Sequence, residues 1–212
     1  MSDSSARTFE VRHVQVGRAL FAAVAAIMIT FSADHSAEVG LAVFSGWAIA
    51  TALVLLIGSR LAYPRGGRAL PVVLGVLTLL AGMIGGLPGI RSTTLFFVLL
   101  ITWALATGIA ELAFGIHGRR SGVPQARDSV LIGAVTIALG VGLLVVNPAY
   151  RLDYVIEQAG SFTLTGIVIG VGLFGGYAAI VAVFLAIAGF SPRREPAASA
   201  TPAIDRSVGE SA

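Results

Sequence analysis

The sequence predicts an all-α membrane protein: six transmembrane helices arranged as three repeated helical hairpins, with both termini in the cytoplasm. Three observations lead there. The chain is 56% hydrophobic and 12% charged, well below the roughly 25% charge typical of soluble domains. Its apolar stretches are long enough for the ~20 residues that a helix needs to cross a bilayer core. Arginines and small residues recur along it at regular intervals.

Continuous apolar segments run at about 17–33, 39–61, 69–90, 93–117, 129–149 and 161–190. Within a bilayer only helices and closed barrels satisfy the backbone, and unalternating runs of this length mean helices. The basic residues set their direction. All 14 are Arg. Arg7, Arg12 and Arg18 go with the start of the first span, and Arg60, Arg65 and Arg68 lie between the second and third. Arg119, Arg120 and Arg127 join the fourth and fifth, and Arg193, Arg194 and Arg206 follow the sixth. Only Arg91 and Arg151 fall in the other compartment. The positive-inside rule then puts both termini in the cytoplasm.

The first span follows arginines and precedes small residues, as a secretory signal does, but it takes part in the repeat and so belongs to the bundle. The chain divides into a leader at 1–16, a bundle at 17–190 with hairpins at about 17–61, 69–117 and 129–190, and a tail at 191–212. The tail is rich in Pro, Ala and Ser, which predicts disorder.

Internal symmetry organises the bundle. The third span carries Gly75, Thr78 and Gly82; the fifth carries the same pattern as Gly133, Thr136 and Gly140. Thr107-Gly108-Ile109 in the fourth span maps by the same shift onto Thr165-Gly166-Ile167 in the sixth. WAIATAL (47–53) maps onto WALATGI (103–109), and Ala19, Ala22 and Ala26 onto Gly75, Thr78 and Gly82. Positions i, i+3 and i+7 share a helix face, and small residues there admit a neighbouring backbone. Gly166, Gly170, Gly172 and Gly176 extend small-residue spacing into the sixth span. These positions are expected to pack helices; the rival reading, a broken helix that binds ions, lacks a proline that interrupts a span, Pro88 and Pro148 standing at the outer ends of theirs.

WALATGIAELAFGIHGRR (103–120), VLIGAVTIALGVGLLVVNP (130–148) and the six spans resemble the HdeD-like family of small bacterial membrane proteins. A Gly-Ile-x-Glu run like Gly108, Ile109 and Glu111 is a feature of that family. The sixth span departs from it, with Ile169 where the repeat would put the acid. The resemblance implies an inner-membrane protein with a role in acid or envelope stress, and it carries over no catalytic residue.

Glu111 is the chemical puzzle. It corresponds to Leu55 and Ile169 in the other repeats and lies roughly 9 Å from the span centre. An ionised carboxylate at that depth costs ~2 kcal/mol or more and calls for a partner. Arg18 corresponds to Leu74 and reaches a similar depth, so an ion pair is expected; snorkelling and proton coupling are the alternatives. Asp34, His35 and Glu38 suggest turn caps ahead of a metal or proton sensor. His117 suits a helix C-terminus, and His13 falls in the leader. Tyr150 and Tyr154 suit an interfacial belt, and Trp47 and Trp103 suggest packing. There is no cysteine, and no HExxH, P-loop or dinucleotide fingerprint. The reading is therefore non-enzymatic, without cofactor, metal or nucleic acid. Its partners are the lipid bilayer and a homo-oligomer or another membrane protein. The leading function is an HdeD-like stress-tolerance protein or partner subunit; the alternative is a small proton-coupled transporter or channel using Glu111.

Overall fold

The computed structural model describes residues 9–120, 126–157 and 160–191. The expected disordered tail lies outside the described residues apart from Ser191, as do leader residues 1–8. The described residues form six α-helices, two single 3-10 turns (Arg65–Gly67 and Pro88–Ile90) and one β-hairpin. The helices are α1 (Val11–Phe31), α2 (Ala37–Leu61), α3 (Ala69–Gly85), α4 (Thr93–Arg120), α5 (Ala126–Val145) and α6 (Gly166–Phe190). All but α3 are long and apolar enough to cross a membrane; α3 is a shorter apolar helix of 17 residues. Their outer faces are apolar too, with Leu20, Ile27, Val98, Ile109 and Ile187 exposed. The chain is a multi-pass membrane protein.

Local chemistry moves several expected boundaries. Helix α1 starts at Val11 and not at 17, because Glu10 and His13 form a reciprocal cap in which the Glu10 amide donates to His13 Nδ1 at 3.0 Å. His13 therefore belongs to the first helical turn. Helix α2 is capped by Ser36, whose hydroxyl accepts from the Val39 amide, while Asp34 accepts from the Ser36 amide at 2.8 Å. Helix α3 stops at Gly85 and not at 90. The Arg91 side chain donates to the Gly85 and Gly86 carbonyls, orphan acceptors at the helix end.

The largest departure is at 151–165. Segment 161–165 is not the start of a span but the second strand of an antiparallel hairpin, β1 (Arg151–Ile156) with β2 (Gly160–Thr165). Leu152 pairs with Leu164 and Tyr154 with Phe162, placing apolar side chains on one face. Tyr154 and Phe162 stack at 5.9 Å. On the other face Thr163 donates to Asp153 and Arg151 lies 3.3 Å away, so the Asp153 carboxyl is held below its ordinary pKa by these two contacts. Thr165 then caps α6.

The helices close into a ring in chain order, α6 returning to α1. The most extensive seams are α4 with α5, α1 with α6 and α2 with α3. They are offset by one helix from the expected hairpins, and the glycines explain why. A Cβ on Gly133 would stand 2.6 Å from the Leu112 amide nitrogen, and one on Gly108 2.9 Å from that of Ile137. Gly75 and Gly82 lie against Leu56, Ala48 and Ile49 of α2, and Gly140 against Leu105 of α4. In the third seam Gly175 meets Ile29 and Gly189 meets Val16. Small residues thus let each even helix approach the following odd one. Gly170 packs on Phe96 and Phe97, and Gly166 on the Asn147 carbonyl, whereas Gly172 and Gly176 have open space where a Cβ would be.

That contrast is testable in detergent melts. Gly133→Ala should destabilise the bundle by roughly 1–3 kcal/mol through overpacking. Gly176→Ala should be neutral or stabilising by roughly 0.5–1 kcal/mol, because alanine is the better helix former. Equal melting temperatures for the two variants would reject backbone approach as the origin of the α4–α5 seam.

Candidate functional site

The even helices present ladders to the bundle axis at four-residue spacing, a little over one turn. On α2 the rungs are Trp47, Thr51 and Leu55; on α4, Trp103, Thr107 and Glu111; on α6, Tyr177, Val181 and Leu185. All line one small internal chamber, with Thr78 and Thr136 from α3 and α5 and Arg18 from α1 between them. Thr78 and Thr136, expected to pack helices, instead turn their hydroxyls inward while their flanking glycines form the seams.

Aromatic rings pack around the chamber towards the hairpin end. Trp47 and Trp103 meet edge to face at 5.2 Å, and Tyr177 lies 6.2 and 6.0 Å from them. Phe44 and Phe174 add a further layer at 5.6 Å from each other. The indole of Trp103 donates to the Thr78 hydroxyl at 3.1 Å, and the Thr136 and Tyr177 hydroxyls lie 3.1 Å apart. Thr107 donates to the Trp103 carbonyl of its own helix. The tryptophans pack as expected, but they also bring polar N–H groups to the axis.

Arg18 and Glu111 meet at the opposite end of the chamber. Arg18 Nη1 lies 3.7 Å from Glu111 Oε1, and the Glu111 side chain is 7% exposed. Electrostatic attraction operates at this distance, but it is longer than a hydrogen bond. Among the described residues, three buried polar atoms of groups lining the chamber have no partner in the chain: Arg18 Nε beside the pair, and Thr51 Oγ1 and Trp47 Nε1 further along it. The chamber measures about 20 Å³, space for one water-sized group with polar neighbours.

Beyond the pair a vestibule of about 650 Å³ opens at the end of the bundle where α2 joins α3. Arg18, Glu111, Leu55, Leu74 and Leu185 line both spaces, so they form the septum between them. The vestibule also holds Gln15, whose amide donates to Asp128 at 3.3 Å, and His117. Tyr63, in the connection after α2, has its phenol pKa raised by burial; Arg18 pulls it down and Glu111 pushes it up.

The structure brings Arg18 and Glu111 together as the sequence leads one to expect. It also gathers Thr51, Thr78, Thr107 and Thr136 around one lumen. It does not put Ile169 at the level of Glu111. Leu185 occupies that level, and Ile169 lies about 24 Å away along α6. The hairpin lengthens the segment before α6, so the same shift no longer relates α4 to α6. Tyr177 went unnoticed for that reason, although the four-residue spacing of Tyr177, Val181 and Leu185 carries the signal. Among the described residues Glu111 is the single carboxylate lining the chamber, and beside a guanidinium it makes a poor cation site. Asp34 and Ser36 cap α2 and stand apart from this site. No protein-family model, curated protein or solved structure matches the chain.

A half-broken pair strands a charge in a low-dielectric site, while removing both charges does not. Arg18→Leu and Glu111→Leu should each lower stability by roughly 3 kcal/mol or more, and the double variant should recover much of that loss. Thermal melts of the four proteins form the cycle; additive losses would show the two groups to be independent.

Proposed function

We propose that the protein is a small proton-coupled carrier of the bacterial inner membrane, with Glu111 as its proton-exchanging group. The observation that supports this most is the position of the Arg18–Glu111 pair, on the septum between a wide vestibule and a small chamber into which threonine hydroxyls, indoles and a phenol project. A purely structural tie needs neither space. A pathway needs both, together with several polar groups facing one lumen, and the threonines, indoles and Tyr177 supply them. The absence of any recognisable catalytic set in the sequence accords with a non-enzymatic role.

In this reading α3 is the sixth span, since 17 residues lie at the short end of what crosses a bilayer. The arginines put both termini and the vestibule on the cytoplasmic side. Three similar helix pairs arranged around the axis account for the ladders Trp47, Trp103, Tyr177 and Leu55, Glu111, Leu185. The resemblance to HdeD-like proteins, and the acid-tolerance role it implies, fits a protein that moves protons with a solute.

Two measurements test this. The chain has no native cysteine, so single cysteines at Gly66 and Gly89, where no atom would crowd a Cβ, report topology. Gly89→Cys should label from outside in intact cells and Gly66→Cys should not; the reverse would overturn the orientation. In proteoliposomes loaded with a pH dye, a panel of organic acids, amines, amino acids and sugars should include a solute that triggers an internal pH change. Glu111→Gln, shown by its melt to be folded, should lose that response. If no solute in the panel acts, or if Glu111→Gln responds as well as the wild type, the carrier reading fails.

A further inference from the structure

Resting on the carrier reading, we propose that the vestibule binds a small amphipathic monocarboxylate, whose carboxylate replaces Glu111 as the partner of Arg18 while Glu111 takes up one proton.

The guanidinium is available for this. It carries five N–H donors in a planar fork, and the Nη1–Oε1 separation of 3.7 Å from Glu111 is longer than a well-formed hydrogen bond. Its Nε is buried without a partner in the chain. A carboxylate is the acceptor that matches such a fork with two parallel hydrogen bonds. The vestibule supplies the complement for an apolar body, with Val14, Leu55, Leu70, Leu74, Phe114 and Ile132 along its wall. Its volume of about 650 Å³ is in the range of small-molecule sites.

Charge balance sets the rest. The groups facing Glu111 are Arg18 from α1, Tyr63 from the α2–α3 connection, His117 from its own helix, Asp128 from α5 and Tyr177 from α6. The septum residue from α3 is Leu74, which does not titrate. Arg18 is the single permanent cation of this set, and the resting pair is neutral. Asp128 is already engaged by the Gln15 amide, so an entering carboxylate that joined Glu111 on Arg18 would add a negative charge to a low-dielectric space, and two carboxylates on one cation hold a proton between them. The anion therefore enters with one proton: the Arg18–Glu111 contact breaks, Glu111 becomes a carboxylic acid, and Arg18 pairs with the ligand. No net charge is added. A cationic ligand would face Arg18, and among the described residues lining the vestibule Arg18 is the one arginine a dianion would meet.

Titration calorimetry on the full chain in phosphatidylcholine nanodiscs tests this, with octanoate as the probe and two buffers of different ionisation enthalpy. Octanoate should bind with uptake of about one proton, and its affinity should fall by about tenfold per pH unit above the range where Glu111 protonates. Glu111→Gln should bind octanoate without proton uptake and with a flat pH profile. His117→Asn should keep the uptake. Arg18→Gln should lose binding; if it does not fold, the proton count in the wild type and in Glu111→Gln still decides. Octylammonium and 1-octanol should bind at least about tenfold more weakly, because neither pairs with a guanidinium. Octanoate binding without proton uptake, equal binding of octylammonium, or displacement by added phosphatidylglycerol would each overturn the proposal, the last by making the site one for a lipid headgroup. A Glu111-dependent pH response to another solute, with no octanoate binding, would overturn the ligand class and leave the carrier reading standing. Proton-linked octanoate binding without transport would uphold the site and remove the carrier reading.

Discussion

An ionised carboxylate inside an apolar bundle has to be matched by a positive charge or by a proton, and this requirement governs the centre of the molecule. Glu111 has Arg18 within 3.7 Å, and the position of that one contact divides the interior. On one side the ladders carry hydroxyls and indoles into a small chamber flanked by aromatic rings. On the other, leucines and valines line a vestibule. Moving the acid by one rung would break this division. At the level of Thr107 it would sit among threonine and tryptophan donors, and one turn further out it would face the polar groups at the vestibule mouth.

The way the helices are locked bears on what that contact ties together. Glycines bring α2 to α3, α4 to α5 and α6 to α1 at close range. The alternate seams, α1 with α2, α3 with α4 and α5 with α6, are less extensive. Arg18 is on α1 and Glu111 on α4, so the ion pair spans two different glycine-locked units. Within a unit, backbone contacts such as Gly133 on Leu112 leave little freedom for sliding. Between units the contact surface is smaller, and a charged pair is part of what joins them. Exchanging the partner of Arg18 therefore alters a link between units and leaves their internal packing alone.

Much of this was legible in the sequence, and what was not has physical causes. Helix positions followed from hydropathy because a bilayer leaves few alternatives for long apolar runs. The pairing of Arg18 with Glu111 followed from the shift that relates Trp47 to Trp103, since depth is conserved when two helices share a register. The hairpin at 151–165 did not emerge. Its strand Gly160–Thr165 alternates Phe162 and Leu164 with Ser161 and Thr163, and it abuts a helix of far greater hydropathy, so the two merged into one apparent span. That merging misaligned α6 and hid Tyr177 and Leu185. The offset seams were hidden for a different reason. Glycine spacing marks a close approach without naming the helix that approaches, and short connections favour the sequence hairpin as the first guess.

The ladders also explain why a near-symmetric ring can hold an asymmetric site. Leu55, Glu111 and Leu185 stand at one level, and Arg18 and Leu74 at the neighbouring one, so the acid and the base each replace one apolar residue in an otherwise greasy septum. A ring of three acids would repel itself, and a ring of three leucines would seal the bundle. One acid and one base give a septum that is neutral overall yet polar at a single off-axis point. An anion seated in the vestibule would meet one guanidinium, and its apolar remainder would meet the leucines on either side. The proposed preference for one negative charge on an apolar frame would rest on the composition of that septum.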